Sequence, residues 1–182
     1  SWTLLNTLGE VELRQYDAVI QARTQMDGDA DSSGGFRTLA GYIFGGNAQE
    51  QKIAMTAPVE RTLALENNYM AFTKPQQYSM EKLPDPEDVR VSLHEVPPRT
   101  LAVVSFSGWA RDGVVQKKVK ELLSTLSSHG IKPLGDPSLA QYNPPWTLPW
   151  LRRNEVVVEV TGYGAFVPSG TVHAALSGAE TP

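Results

Sequence analysis

Few residues in this 182-residue chain are of the types that bind metals or perform catalysis. The sequence holds three histidines, His94, His129 and His173, and no cysteine. No histidine stands at metal-ligand spacing from another donor, and without cysteine there is no thiolate chemistry and no cysteine-ligated metal. Gly45-Gly46 follows a predicted helix rather than preceding one, so it is not a phosphate-binding loop, and the sequence has no Gly-x-Ser-x-Gly elbow. We therefore predict neither a metal site nor a catalytic centre.

One predicted helix offers a surface on which a ligand can lie. Apolar residues at 36, 39, 40 and 43 follow the spacing of a short helix over 36–44, which ends at Gly45-Gly46. Its outward arc holds Thr38, Gly41 and Tyr42, and Arg37 is its one charged residue. A small residue between an aromatic ring and a short hydroxyl makes a smooth, weakly polar surface that suits a flat ligand. The alternative is that a loop or the C-terminal tail covers this face.

The elements that must position this helix are short, because glycine and proline interrupt the chain often. Alternating apolar residues predict eight strands, at 11–16, 17–24, 53–59, 69–73, 89–96, 101–106, 139–143 and 155–160. In the third of these, Ile53 and Met55 are expected to face the core. A second helix is predicted after Asp112, a plausible N-cap, and ends at His129-Gly130.

The order strand, strand, helix, strand, strand occurs twice along the chain. It predicts an internally duplicated α+β fold, in which two βαβ-type halves form a distorted, mostly antiparallel eight-stranded barrel or sheet with two helices. We expect one domain over residues 1–160, with halves at about 11–74 and 89–160. Residues 161–182 show no clear period and are predicted to form a C-terminal tail.

The composition excludes several classes of partner. Sixteen basic residues against 20 acidic ones give a formal net charge of -4, which lacks the basic footprint that nucleic-acid binding requires. No run reaches the roughly 18 apolar residues of a transmembrane helix. We expect a soluble protein of the cytoplasm or of an organelle such as the plastid, without a nucleic-acid partner.

Three blocks of sequence resemble the SOUL heme-binding protein family. The first runs from Phe36 to Asn47 and continues from Lys52 to Val59. The second is Tyr142 to Pro145, and the third is Arg152 to Val156. The blocks stand in the family's order and spacing, and the resemblance covers about residues 5–160.

The resemblance implies a duplicated barrel-like α+β fold and a tetrapyrrole carrier or buffer, which binds heme or a free porphyrin in an apolar groove beside the first helix. In similar members, a mobile loop before the last strand lies near that groove, and this loop is residues 143–153 here. The implied binding residues are Arg37, Thr38, Gly41 and Tyr42 of the helix and Trp146, Leu148, Trp150, Arg152 and Arg153 of the loop. The apolar side chains would provide stacking surface and the arginines would pair with propionates. The alternatives are that the loop packs onto the barrel and that its arginines form structural ion pairs.

Two positions depart from the family's pattern. Gln15 stands where some animal members have a histidine proposed as an axial heme ligand, and Gly41 stands where others have a basic residue. An amide is not a normal iron ligand. We therefore predict weak binding of heme or another porphyrin, without a strong axial ligand.

Two other functions remain open. The duplicated fold is similar to effector-binding domains of transcription regulators, which take amphipathic cations between their halves. In such a small-molecule sensor, Glu60 or Glu159 would be the buried carboxylate. A protein-interaction module is the other function, and its partner would bind the loop at 143–153.

Overall fold

The computed structural model describes residues 1–26, 32–64, 66–74, 79–144 and 146–161. Within these ranges it has two α-helices and nine β-strands. The strands are β1 (Trp2–Leu8), β2 (Val11–Tyr16), β3 (Val19–Gln25), β4 (Val59–Thr62), β5 (Tyr69–Thr73), β6 (Val91–Val96), β7 (Arg99–Phe106), β8 (Ser138–Gln141) and β9 (Asn154–Glu159). The helices are α1 (Ser32–Ile43) and α2 (Asp112–Ser128), and two short 3-10 helices occupy Met80–Lys82 and Pro149–Leu151. Neither α-helix is long and apolar enough to span a bilayer.

All nine strands form one antiparallel sheet in the order β1-β2-β7-β9-β8-β4-β5-β3-β6. Apart from β1, the strands form two sets of four, β2–β5 and β6–β9. Reading the sheet from its other end gives the same order with each strand replaced by its counterpart in the other set, β2 by β6, β3 by β7, β4 by β8 and β5 by β9. This symmetry confirms the predicted α+β duplication. The halves are also intertwined, since β2 pairs with β7 and β3 pairs with β6.

Both helices pack on the same face of the sheet. Leu139 of β8 pairs with Arg61 of β4, and Arg61 pairs in turn with Met70 of β5. Directly paired residues point to the same face. Leu139 belongs to the core under α2 and Met70 to the core under α1. The other face of the sheet, which carries Glu60 and Glu155, therefore carries neither of the two described α-helices.

The predicted strand at 53–59 is wrong. The strand begins at Val59, and residues 53–58 form no ladder. The amide of Ile53 instead donates to the carbonyl of Ile43 at the end of α1, and Pro58 has no N–H to give to a sheet. Ile53 is buried as expected, whereas Met55 is exposed.

The prediction of eight strands also missed β1, an edge strand. Its register with β2 shifts between Leu4 and Asn6, so its side chains do not keep the alternation that identifies a strand in sequence. At the second helix, Arg111 occupies the cap position and Asp112 is the first helical residue. The predicted tail lies outside the described residues except for Thr161.

Candidate functional site

An open groove of about 570 Å3 lies beside α1. This volume is within the range of about 300–1,000 Å3 that small-molecule sites occupy. Residues of α1 form one wall, and the segment that leads into β6 forms the other. The lining residues are Gly34, Arg37, Thr38, Gly41, Tyr42, Gly46, Glu87, Asp88 and Arg90. The four helix residues predicted from the sequence therefore line one groove.

Two glycines give the groove a bare backbone surface. Beyond the backbone of its own helix, a Cβ atom built on Gly41 would meet no heavy atom of the described residues within 4 Å. A Cβ atom on Gly46 would lie 2.8 Å from the carbonyl oxygen of Gly41, because the chain passes close to the helix end. Gly41 thus leaves a space that a side chain or a ligand can fill, and Gly46 is required by the close approach.

Tyr42 is buried, so its predicted place on the outward arc of α1 is wrong. Its hydroxyl donates a 2.9 Å hydrogen bond to the carbonyl oxygen of Pro84, because the segment before β6 packs against this side of the helix. The Lys74 ammonium lies 4.5 Å from the centre of the ring. Burial, together with the Asp85 carboxylate, raises the pKa of Tyr42 to about 12. Tyr42 is therefore a fixed wall with a protonated hydroxyl.

The charged residues of the groove balance one another. Arg37 is exposed on α1. The Arg90 side chain donates to Asp88 at 2.9 Å from Nε and 2.6 Å from Nη2, and the Arg90 amide donates to it at 3.0 Å. These bonds lower the pKa of Asp88 to about 2. Glu87 adds a second acid. The sequence analysis did not predict Arg90 as a residue of the groove. The only feature that could have indicated it is its position at the start of a predicted strand, directly after an acidic loop.

The loop predicted to help bind a ligand is hydrogen-bonded to the connection between β7 and α2. Trp146, Leu148 and Trp150 are exposed, and they are not among the described residues that line the α1 groove. The carbonyl oxygen of Pro149 accepts a 2.9 Å hydrogen bond from Gly108, in the connection between β7 and α2. These three loop residues are therefore outside the described lining of the α1 groove, and their contact with a ligand stays a prediction.

The two arginines of the loop line a second open groove, of about 530 Å3, with Trp2, Arg14 and Phe106. The Arg152 guanidinium lies 4.1 Å from the centre of the Trp109 ring, and its Nε donates to the carbonyl oxygen of Thr147 at 2.7 Å.

Arg153 belongs to a buried ionic network around Glu155. The Glu155 side chain has no exposed surface. Its carboxylate accepts hydrogen bonds from Arg153 at 2.6 Å, Arg14 at 3.0 Å, Tyr142 at 2.7 Å and Ser105 at 3.2 Å. Burial alone would raise the pKa of Glu155, but the hydrogen bonds from Tyr142, Arg153 and Arg14 outweigh it and lower the pKa. Arg153 therefore makes the structural ion pair that was one of its two predicted roles.

Neither His94 nor His129, nor Gln15 at the position of the family's proposed ligand, is among the described residues that line the α1 groove. His94 Nε2 lies 2.8 Å from Ser92 Oγ on β6, and His129 Nδ1 lies 2.8 Å from the Thr125 carbonyl oxygen at the end of α2. Gln15 accepts a 2.9 Å hydrogen bond from Thr100 in the other half. The described ranges contain no group of three residues that could hold a metal ion. His173 lies outside them.

A small recess of about 270 Å3 lies on the face of the sheet without helices. Glu60 is buried there and accepts a 3.1 Å hydrogen bond from Gln21. The Arg99 guanidinium lies 3.7 Å from Glu60 and 3.7 Å from the more exposed Glu159. The two carboxylates predicted for a cation sensor therefore share one arginine of the chain itself.

Comparison with known protein families identifies one family whose model matches most of the chain. The model of the family described as SOUL heme-binding protein matches residues 1–159. No curated protein sequence matches the chain.

Several solved structures share the fold. The EcmrR C-terminal domain is 11% identical, with a TM-score of 0.64 over 85% of this chain and 98% of that one. A hydrolase from Listeria innocua is 13% identical, with a TM-score of 0.56 over 84% and 92%. SAV2435, solved bound to tetraphenylphosphonium, is 11% identical, with a TM-score of 0.50 over 84% and 94%. At these identities the likeness extends to the fold alone.

Proposed function

The chain belongs to the SOUL heme-binding protein family, and from this premise we propose that it carries or buffers a tetrapyrrole, which it binds in the groove beside α1. The observation that supports this site most strongly is the empty space over Gly41, at the centre of the exposed face of the helix. A tetrapyrrole is a wide, flat, apolar ring system, and a helix face without a side chain at its centre lets such a ring approach closely.

The acidic edge of the ligand would lie against the two arginines of the groove. Arg37 is exposed, and the Arg90 side chain is also mostly exposed, although it is paired with Asp88. A guanidinium can bind a carboxylate through two parallel hydrogen bonds. Because Asp88 and Glu87 repel carboxylates, the net electrostatic contribution is small, and the apolar contact carries most of the affinity.

Iron coordination contributes little in this proposal. The described residues that line the groove include no histidine, cysteine or methionine, and the hydroxyl of Tyr42 is held by Pro84. Heme and metal-free porphyrin would then bind through the same contacts.

Filling the space over Gly41 tests the site. We expect Gly41→Leu to weaken binding of protoporphyrin and hemin at least tenfold, measured by absorbance titration of the purified protein. The matched control is Gly113→Leu in α2, where a new Cβ atom also meets nothing within 4 Å. Unchanged affinity in Gly41→Leu, or equal losses in both variants, would exclude the α1 groove as the site.

A cation sensor is the second candidate function, favoured by the buried Glu60 carboxylate in the recess on the opposite face. A protein of this fold was solved with tetraphenylphosphonium, a lipophilic cation. Arg99 weakens this candidate, because it already supplies a positive charge to both Glu60 and Glu159. A titration with tetraphenylphosphonium distinguishes the two functions. A cation sensor must bind this cation, whereas a tetrapyrrole carrier need not.

A further inference from the structure

The loop between β8 and β9 presents an unusual set of apolar side chains to solvent. Trp146 is 84% exposed and Trp150 is 69% exposed, and Leu148 and Leu151 are at least half exposed. Large apolar side chains exposed singly are ordinary, but several in one segment indicate a contact surface. We call Trp146, Leu148, Trp150 and Leu151 the apolar tip.

The backbone of this loop is held by its own hydrogen bonds. The amide of Thr147 donates to Pro144 at 3.0 Å and the amide of Leu151 to Leu148 at 2.9 Å. The amide of Arg153 donates to the Asn143 side chain at 2.6 Å. These polar contacts shape the loop without burying its tryptophans. The apolar tip is therefore presented outward by an ordered turn, which lowers the entropy lost when it binds.

The charge of the loop is opposite to that of the protein. Residues 143–153 contain two arginines and no acidic residue, whereas the whole chain has a formal net charge of -4, although Arg153 is paired with the buried Glu155. Arg152 and Arg153 follow the apolar tip directly in sequence. Aromatic and aliphatic side chains beside arginine are typical of segments that enter the interface of a lipid bilayer, where tryptophan is enriched and cations meet anionic headgroups.

We propose that the apolar tip docks the protein onto a lipid surface that contains anionic headgroups. Trp146 and Trp150 enter the headgroup region, Leu148 and Leu151 reach the upper acyl chains, and the half-exposed side chain of Arg153 faces the phosphates while it keeps its pair with Glu155. A protruding turn suits a lipid surface, which deforms around it, whereas a protein partner would need a matching cavity. This inference goes beyond the proposed tetrapyrrole binding and does not depend on it.

Vesicle binding of the full chain without porphyrin tests the proposal. We expect the protein to co-sediment with vesicles of phosphatidylcholine mixed with phosphatidylglycerol, and at least threefold less with vesicles of phosphatidylcholine alone. The tryptophan emission should shift to the blue on binding, and brominated lipids should quench it. The double variant Trp146→Ser/Trp150→Ser should lose at least tenfold in vesicle affinity.

The control is Phe44→Ser, which removes another exposed aromatic side chain, 64% exposed, just after α1, and it should change vesicle affinity by less than twofold. Quenching by brominated lipids is measured on the wild-type protein. It therefore still tests the proposal if the double variant fails to fold. No co-sedimentation of the wild type, an equal loss in Phe44→Ser, or an absence of quenching would overturn the proposal. A wild-type dimer that only the double variant dissociates, without vesicle binding, would assign the tip to a second copy of the chain instead.

Discussion

The amide of Gly46 donates a 2.9 Å hydrogen bond to the carbonyl oxygen of Gly41, which ties the chain after α1 back onto the helix. The surroundings of the two glycines differ. A Cβ atom added to Gly41 would have free space, whereas one added to Gly46 would lie 2.8 Å from the carbonyl oxygen of Gly41. Their substitution by alanine should therefore have opposite effects on stability.

Gly41→Ala should stabilise the protein by about 0.5–1 kcal/mol, because alanine loses less backbone entropy than glycine in a helix. Gly46→Ala should destabilise it by about 1–3 kcal/mol, because the backbone of α1 must move. Urea unfolding of both variants measures the two free energies. A stable Gly46→Ala variant would show that the close approach relaxes without cost.

The ionic network at Glu155 should set part of the stability at acidic pH. The pKa of Glu155 is lowered in the folded state by Tyr142, Arg153 and Arg14 against the effect of burial. This stabilisation is present above the ordinary carboxyl value near 4.5 and is lost as the pH falls through the lower folded value. Glu155→Gln should cost about 1.5–3 kcal/mol at pH 7, because it removes the charge that accepts the hydrogen bonds of Arg14 and Arg153, while Arg14 keeps its 2.6 Å contact with Glu12.

Unfolding measured between pH 7 and pH 3 checks this assignment. The difference in stability between wild type and Glu155→Gln should shrink as the pH falls below about 4.5, the ordinary value of the carboxyl group. Glu159→Gln is the control, since its partly exposed pair with Arg99 at 3.7 Å should contribute less than about 1 kcal/mol. A pH-independent difference would mean that packing, rather than charge, explains the effect.

The sequence predicted the fold better than it predicted the site. Apolar alternation and the repeated element order suffice for a duplicated α+β sheet, because these patterns follow from local geometry. Helical spacing also placed Thr38 and Gly41 correctly on one surface. It failed for Tyr42, because an arc drawn around an isolated helix cannot include the segment at Pro84 that covers the ring. Arg90 reaches the same groove only through the pairing of β6 with β3, which no short motif encodes.

The loop tryptophans provide a direct test of the separation between the loop and the α1 groove. The resemblance predicts that Trp150 contacts the ligand, and Trp150→Ala would then weaken porphyrin binding by about 1–3 kcal/mol. Porphyrin titration of Trp146→Ala and Trp150→Ala measures this. Unchanged affinity in both variants would restrict the ligand to the groove that Arg37, Thr38 and Gly41 line.

Hemin and metal-free protoporphyrin should bind with affinities within about tenfold of each other, which is about 1.4 kcal/mol. The reason is that the described groove offers no strong iron ligand. His94→Ala, His129→Ala and His173→Ala should each keep the heme absorption spectrum of the wild type. A low-spin spectrum that disappears in one of these variants would identify an axial histidine, and His173 is the variant to make first because it lies outside the described residues.

Arg99 should decide whether the recess at Glu60 accepts a cation. The guanidinium lies 3.7 Å from both Glu60 and Glu159, so an organic cation must displace it to reach the carboxylates. We expect Arg99→Gln to bind tetraphenylphosphonium at least tenfold more tightly than the wild type does, because it leaves the buried Glu60 charge with Gln21 alone. Calorimetric titration of both proteins measures the difference.

The double variant Arg99→Gln/Glu60→Gln supplies the control for this experiment. It should lose the gained affinity, because the buried charge that attracts the cation is gone, while the shape of the recess is almost unchanged. Porphyrin affinity should stay within twofold in both variants, since the α1 groove lies on the opposite face of the sheet. If wild type and Arg99→Gln bind the cation with the same high affinity, the arginine does not block the recess. The cation-sensor function would then gain support over the tetrapyrrole carrier.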